Sequence, residues 1–530
     1  MISQLKSLLG KSDTRIFLLL LAFVTAALFF ISPDSYFNDL YRRVDSAWFY
    51  MCGKAWMNGL TPYVDFTDSK GPLLWLIYGI GYLLSRSDYT GIFWISCLWY
   101  AGTYFFAFKT AEIFLHDRRK ALLCSILMTF AYFNTWFHDE IRAEDLCLLF
   151  TSLSLWRVCG MLYSETTEKW RNRSFFLLGL SFGALLMIKF NIAAMQGFII
   201  LGALWYLIRE KRSIAGPFLR GMAGFAIVVL PFLILFAIKG NLGAFFHEYF
   251  YNTFHTVQGN LTTEGGLLAD TKESNPLLFY LHDAGRILYK PTIGALLLLL
   301  VVGGWLASRI VEKYRFFPLM VSLAVFFLVI SHHFNYYFCT CSIFLIFLCI
   351  SLTNSATPRK RELAFIAAVV FGLNVGFHFM TFNRMIWFGA HNEEKRDFYT
   401  LSYLMSQVED PLTANAVGYE CGEGILAGAL PAGKYWVWQN GMLPDMADGH
   451  RELLLSGKAD FILVASEPLI AEHIGLTLSD LEAIGYKEYF RYDKGDRSIL
   501  MSRHHDLRMP DGEIIPSRKS ILLKRNPFFK

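Results

Sequence analysis

Residues 174–208 read SFFLLGLSFGALLMIKFNIAAMQGFIILGALWYLI, an apolar stretch carrying a single formal charge, Lys189. As one helix it would run about 52 Å, well beyond the roughly 30 Å of hydrocarbon that a span has to cross. The stretch is interrupted at Lys189-Phe190-Asn191. The reading is therefore two shorter spans meeting in a tight turn at a membrane face, with bilayer rather than water as the solvent.

The rest of the chain extends that reading. Hydrophobic residues make up 54% and charged residues 18%, with 49 Phe, 26 Tyr and 13 Trp, whereas soluble domains average about 25% charged residues. Segments 15–32, 89–115, 120–137, 144–163, 217–238, 291–308, 315–331, 334–353 and 363–383 are also apolar and long enough to be spans, which with the split pair gives about eleven. Lys6, Lys11 and Arg15 precede the run Ile16 to Ile31 as in a signal peptide, but no A-x-A-like site follows, so the run reads as a first span and anchor.

Charge sets the orientation. Segments 117–120, 169–173, 209–212, 309–315 and 359–361 are rich in Lys and Arg, which places them and the N-terminus in the cytoplasm. The outward set is then 33–88, 138–143, the Lys189 turn, 239–290, 332–333 and everything after residue 384. The run Gly71 to Ser85 is apolar but too short to span and begins Gly71-Pro72, so it reads as an interfacial or re-entrant helix on the outer face. The net charge of +5 is small and gives no reason to expect nucleic acid. Eight of nine Cys lie in or near apolar segments without metal-ligand or disulfide spacing and read as small apolar residues.

After Arg384 the composition changes. Within 391–503, short runs at 415–419, 461–464 and 498–501 alternate with helical patterns and Gly or Pro punctuation, the signature of strands in a small α/β domain; 504–530 is a basic tail. The expected fold class is an α-helical polytopic membrane protein, residues 1–385, with a small C-terminal soluble α/β domain, residues 386–530, on the outer face.

The first outer loop holds Tyr41-Arg42-Arg43-Val44-Asp45, then Gly59-Leu60-Thr61-Pro62-Tyr63-Val64-Asp65, then Asp68-Ser69-Lys70-Gly71-Pro72. An Asp just after the first span, a G-x-x-P-Y turn and a Lys-Gly-Pro entry to an apolar helix resemble the first extracytoplasmic loop of GT-C glycosyltransferases. The protein O-mannosyltransferases and the lipid A aminoarabinose transferases are the members it resembles most, and the order of spans and loops resembles that superfamily over roughly residues 10–385.

The resemblance implies inverting transfer of a sugar from a polyprenyl-phosphate donor to an acceptor glycan, lipid or protein at the outer face of the bacterial inner membrane. Such chemistry needs a base for the acceptor hydroxyl, cations for the departing phosphate and a groove for the lipid. Asp45 is the expected base; its bland alternative is a cap for a helix beginning at Ala47, while Arg42 and Arg43 read as interfacial anchors. Glu144 or Asp145 matches the superfamily's second acidic residue at the start of the fourth span, though acids there also suit a helix N-terminus. Asp139 is a further acidic residue of that loop.

Lys70 resembles the family lysine on the lipid phosphate; its bland alternative is a lysine snorkelling from the start of an interfacial helix. Ser69 replaces an acidic neighbour common in relatives, so a divalent cation stays open, with Asp65 or Asp68 left to hold it. Lys189, among apolar residues at a span end, is assigned to the donor phosphate, against a structural pairing with Glu144 or Asp145. Arg286 and Lys290 add to the phosphate clamp or anchor the interface. His333 and Tyr336, in His332-His333-Phe334-Asn335-Tyr336-Tyr337, contact sugar or phosphate or form an aromatic belt. His247-Glu248 is not a zinc-protease motif, because position 251 is Tyr. No P-loop or G-x-G-x-x-G opens a strand–helix unit, which fits a lipid donor. The rivals are a transporter or lipid-glycan flippase, which would show internal repeats, and a glycan polymerase or ligase.

Overall fold

The computed structural model describes residues 12–32, 35, 44–86, 88–133, 141–253, 291–329, 335–355, 359–382, 392–408, 412–417, 422–437, 444–464, 467–491 and 499–509. The chain divides into two compact units: Met1–Ser32, Ile95–Ile234 and Thr271–Thr381 form one, and Pro33–Trp94, Leu235–Asp270 and Phe382–Lys530 the other.

The first unit is helical. Among the described residues five helices, most of them wholly in this unit, are long and apolar enough to cross a membrane: Ser12–Ile31, Thr90–Leu115, Ala143–Tyr163, Phe190–Arg209 and Ala215–Lys239. Along the last of these Phe218, Leu219, Met222, Ile227, Leu230 and Ile234 are exposed, a surface that suits lipid and would be a liability in water. The stretch 174–208 breaks where its sequence says: Lys189 is extended (φ −156°, ψ 104°) and separates helix Glu168–Ile188 from Phe190–Arg209. Helices Glu168–Ile188 and Ala215–Lys239 touch through bare backbone. A methyl group at Gly179 would fall 1.8 Å from the Gly221 carbonyl oxygen, and one at Gly224 2.0 Å from that of Phe176, the small-residue contact by which apolar helices associate in lipid.

Two expected spans differ from their sequence reading. The segment 120–137 holds helix Arg118–Leu127 and the short turn Thr129–Tyr132, because at Met128 the cap N–H is shared between the carbonyls of Cys124, Ser125 and Ile126; residues 134–137 lie outside the described residues. The segment 334–353 is a 3-10 helix, Asn335–Leu345, that becomes α-helical over Ile346–Thr353. A 3-10 helix rises about 2.0 Å per residue, so this mixed segment still reaches roughly 34 Å.

The ends of this unit sort by charge. Asp13 pairs with Arg118, Lys109 lies 3.4 Å from Asp13, Lys313 lies 2.5 Å from Glu210, and Lys120 donates to the Asn354 carbonyl at 2.7 Å. Tyr163, closing helix Ala143–Tyr163, donates to the Tyr314 carbonyl at 3.1 Å. Glu144, which opens that 21-residue helix, is thus about 30 Å away along the axis, and it pairs with Lys189.

In the second unit, β1 (Thr413–Val417), β2 (Leu430–Pro431), β3 (Phe461–Val464), β4 (Lys487–Arg491) and β5 (Ile499–Ser502) form one sheet in the order β2-β1-β3-β5-β4. β2, β1 and β3 are parallel; β5 runs antiparallel to β3 and β4. The apolar run of β3 is buried at every position, as a strand covered on both faces should be. Val417, Ile462, Val464, Ile499 and Met501 pack with Leu454, Ile470, Ile474 and Leu481 from three helices. β1 starts earlier than its sequence reading; 418–420 are outside the described residues. The edge strand β4, Lys-Glu-Tyr-Phe-Arg, has no run in the sequence reading, because its polar residues hide the alternation.

His450, on helix Pro444–Leu455, is fully buried, and neither ring nitrogen has a hydrogen-bond partner among the described residues. Burial pulls its pKa from 6.5 down to about 4. The unfolded chain therefore takes up this proton first, so stability is unaffected above pH 6.5 and falls as pH drops from there towards 4. The full loss is about 3 kcal/mol. Melting the full chain in detergent at stepped pH checks this: His450→Phe should flatten that slope, and an unchanged slope would contradict the burial argument.

Candidate active site

In the second unit, helix Val44–Met57 begins earlier than Ala47, so Asp45 lies in its first turn rather than ahead of it as a cap. Phe49 follows one turn later on the same face, and Lys70 Nζ stands 5.7 Å from its ring centroid, within cation–π range. Lys70 Nζ is also 3.6 Å from Asp68 Oδ1 and 3.1 Å from Ser69 Oγ. The structure therefore brings Asp45, Asp68 and Lys70 into one corner.

The G-x-x-P-Y turn has a mechanical purpose there. Tyr63 adopts φ 65°, unusual for a bulky residue and sustained only where packing enforces it. Its ring packs against Trp75 at 4.6 Å and Phe245 at 5.4 Å, and its hydroxyl donates to the Lys70 carbonyl at 3.0 Å. Just beyond, helix Pro72–Leu84 starts with Pro at its first position and Gly71 before it. A methyl group at Gly53 would lie 2.5 Å from Gly79 N, so the Asp45 helix and the helix behind Lys70 lie backbone to backbone.

The Asp68 side chain is fully buried. Burial pushes its carboxyl above the usual range; Lys70 opposes that shift and Asp45 adds to it. Its Oδ2 has no hydrogen-bond partner among the described residues. Those residues contain no group of three His, Cys, Asp or Glu side chains suited to a metal ion.

In the first unit, Glu144 and Asp145 open helix Ala143–Tyr163 and both are buried. Glu144 pairs with Lys189, the structural partnership that the sequence left as one alternative. Asp145 accepts from the Arg142 backbone N–H at 3.0 Å and from the Tyr100 hydroxyl, with Cys339 Sγ 3.8 Å away. Asp145 thus caps its own helix, and the 3-10 segment lies against it. Tyr336 belongs to that segment, its side chain outside the described residues, as are Asp139, Arg286, His333, Arg42, Arg43 and Lys290.

Sequence reasoning missed three charged groups of the second unit. Glu248, on the π-helical turn Phe246–Tyr251, has a side chain only 1% exposed, and Lys434 Nζ lies 2.5 Å from its Oε1. Tyr435 donates to the same oxygen at 3.3 Å. Lys54, buried in the Asp45 helix, donates to the carbonyls of Gly428 and, at 2.9 Å, Ala429. A lone carboxylate amid Phe-Phe-His-Glu-Tyr-Phe-Tyr was the available signal for Glu248; none marked Lys54 or Lys434.

Comparison with known proteins gives the class first: a polytopic membrane protein with the GT-C fold. The structure matches ArnT from Cupriavidus metallidurans in the apo state with a TM-score of 0.58 at 11% identity, covering 94% of this chain and 100% of that one. It matches ArnT bound to undecaprenyl phosphate with a TM-score of 0.54 at 11% identity, over 94% and 98% of the two chains. Within that class, residues 69–235 match the family described as dolichyl-phosphate-mannose-protein mannosyltransferase. The resemblance read from the first outer loop is borne out. No curated protein sequence matches the chain.

Proposed function

We propose that the protein is an inverting glycosyltransferase that moves a sugar from a polyprenyl-phosphate donor to an acceptor hydroxyl on the extracytoplasmic face. The carrying observation is the corner where the Lys70 ammonium sits over the Phe49 ring, one helical turn from Asp45, and beside the buried Asp68. Asp45 takes the acceptor proton as its oxygen attacks the anomeric carbon from the face opposite the phosphate. The C–O bond to phosphate breaks, and its electrons leave with the lipid phosphate, whose charge Lys70, Lys189 and Arg286 stabilise. Glu144 or Asp145 lines the catalytic site as its second acidic residue; Asp68, Asp139, His333 and Tyr336 complete substrate binding.

The same reading takes about eleven spans, with the N-terminus cytoplasmic and the mixed sheet of 413–502 as an outer-face domain. The basic segments of the first unit meet one another, while Glu144 and Lys189 meet at the far end of helix Ala143–Tyr163. That arrangement supports the alternation, and the excess of Lys and Arg points the first end inward. The test is to mix purified protein with polyprenyl-phosphate mannose, and then with aminoarabinose and other sugars on the same carrier, following release of polyprenyl phosphate and the anomeric configuration of the product. Movement of intact lipid across vesicles without cleavage would favour the flippase reading instead.

A further inference from the structure

Glu248 is a buried carboxylate to which three separate stretches contribute. Thr67 Oγ1 donates to its Oε2 at 3.3 Å from the first outer loop, and Asn252 Nδ2 donates to the same oxygen at 3.0 Å from its own helical turn. Lys434 Nζ, at 2.5 Å, and the Tyr435 hydroxyl, at 3.3 Å, approach Oε1 from the segment after β2; His247 Nδ1 is 3.4 Å away. Burial pulls Lys434 down, but the Glu248 carboxylate outweighs it and holds the ammonium above its usual range. A charge this deep persists only when paired. Thr67 is the residue before Asp68, and Asp68 touches Lys70. The segment that supplies Lys434 also receives Lys54 from the Asp45 helix, through the carbonyls of Gly428 and Ala429.

We propose that Glu248 and Lys434 are positioning residues for the Asp68–Lys70 turn: their buried pair fixes Thr67, and through it sets the place of the ammonium that receives the lipid phosphate. The inference rests on the reading of Lys70 as the phosphate contact. It gives the sheet-bearing C-terminal part of the chain a share in donor binding that runs through Lys70, since Lys434 is the only cation among the described residues that pairs with Glu248 at ion-pair distance apart from the neighbouring His247. Lys434→Met would leave the carboxylate without its ammonium, and the turn would shift to let water reach it. Displacements of about 1 Å in a positioned group reduce function by up to roughly 100-fold.

The test measures binding of undecaprenyl phosphate to the purified full chain, alongside its melting temperature. Lys434→Met is expected to raise Kd by about tenfold or more. Glu248→Gln combined with Lys434→Met removes both charges yet keeps an acceptor for Thr67, and should return Kd to within about threefold of the original protein. Glu248→Ala with Lys434→Met has no acceptor for Thr67 and should stay weak. The decisive arm is non-additivity: in a Lys70→Met background, Lys434→Met should add almost nothing, because it acts through Lys70.

A merely structural pair would lower melting while leaving the Kd of folded protein unchanged, and its effect would be the same with or without Lys70; either result overturns the proposal. Should the Lys434→Met protein not fold, the two double variants decide between the same outcomes. Binding without sugar transfer would end the transferase reading and leave the positioning claim standing. Transfer with unaltered binding in every variant would do the reverse, and no binding at all by the original protein would remove both.

Discussion

Asp45→Asn is expected to lower kcat for sugar transfer by about 10²–10⁴-fold, the usual contribution of a general base, with little change in melting temperature. Asn keeps the size of the side chain and remains compatible with the first turn of helix Val44–Met57, where Asp45 sits half-buried. What it loses is the ability to take a proton from an attacking hydroxyl. Loss of kcat with donor binding intact is the pattern of an interaction made in the transition state. Asp45→Glu keeps the base but moves it by one methylene, so it should retain more activity than Asn. Equal, large falls in melting temperature for both variants would instead make Asp45 a helix-start residue whose charge serves the dipole.

Asp68 is the natural control for that experiment. Its burial and the neighbouring Asp45 carboxylate raise its pKa, so it holds a proton more readily than an ordinary aspartate. At a given pH less of it is in the carboxylate form than of an ordinary aspartate.

Features set by local chemistry were legible in the sequence. A single ammonium in an apolar run marked the break at Lys189, a Gly-Pro pair marked the start of helix Pro72–Leu84, and four apolar residues between polar punctuation marked β3. Features set by packing were not. The 3-10 segment Asn335–Leu345 contains neither Gly nor Pro to announce it, and the break at Met128 arises from shared hydrogen bonds rather than from a breaker residue. His450 sits beside Arg451 on a helix whose sequence reads as solvated, yet it faces the interior. Tyr435 and Glu248 are 187 positions apart, and no local pattern can pair groups across such a distance. The first loop carried enough information to bring Asp45, Asp68 and Lys70 to attention, because the residues that shape its turns lie within the loop itself. Its outer support, Glu248 with Lys434, required the fold.

Lys189→Met is expected to destabilise the protein by about 3–5 kcal/mol, because it leaves Glu144 buried without a counter-charge. Both side chains are nearly inaccessible, at 8% and 2% exposure, and they lie where helices Phe190–Arg209 and Ala143–Tyr163 begin, next to apolar surroundings in which an unpaired charge is costly. Glu144→Gln combined with Lys189→Met removes both charges, so thermal melting in detergent should return to within about 1 kcal/mol of the original protein, as a neutral replacement of a buried pair generally does. Donor binding then separates the two readings of Lys189. If the ammonium also meets the donor phosphate, the doubly neutral protein melts normally but binds donor weakly, because no cation remains at the turn. Recovery of melting and donor affinity together would reduce Lys189 to a counter-ion for Glu144 and leave Lys70 as the principal phosphate contact among the described cations.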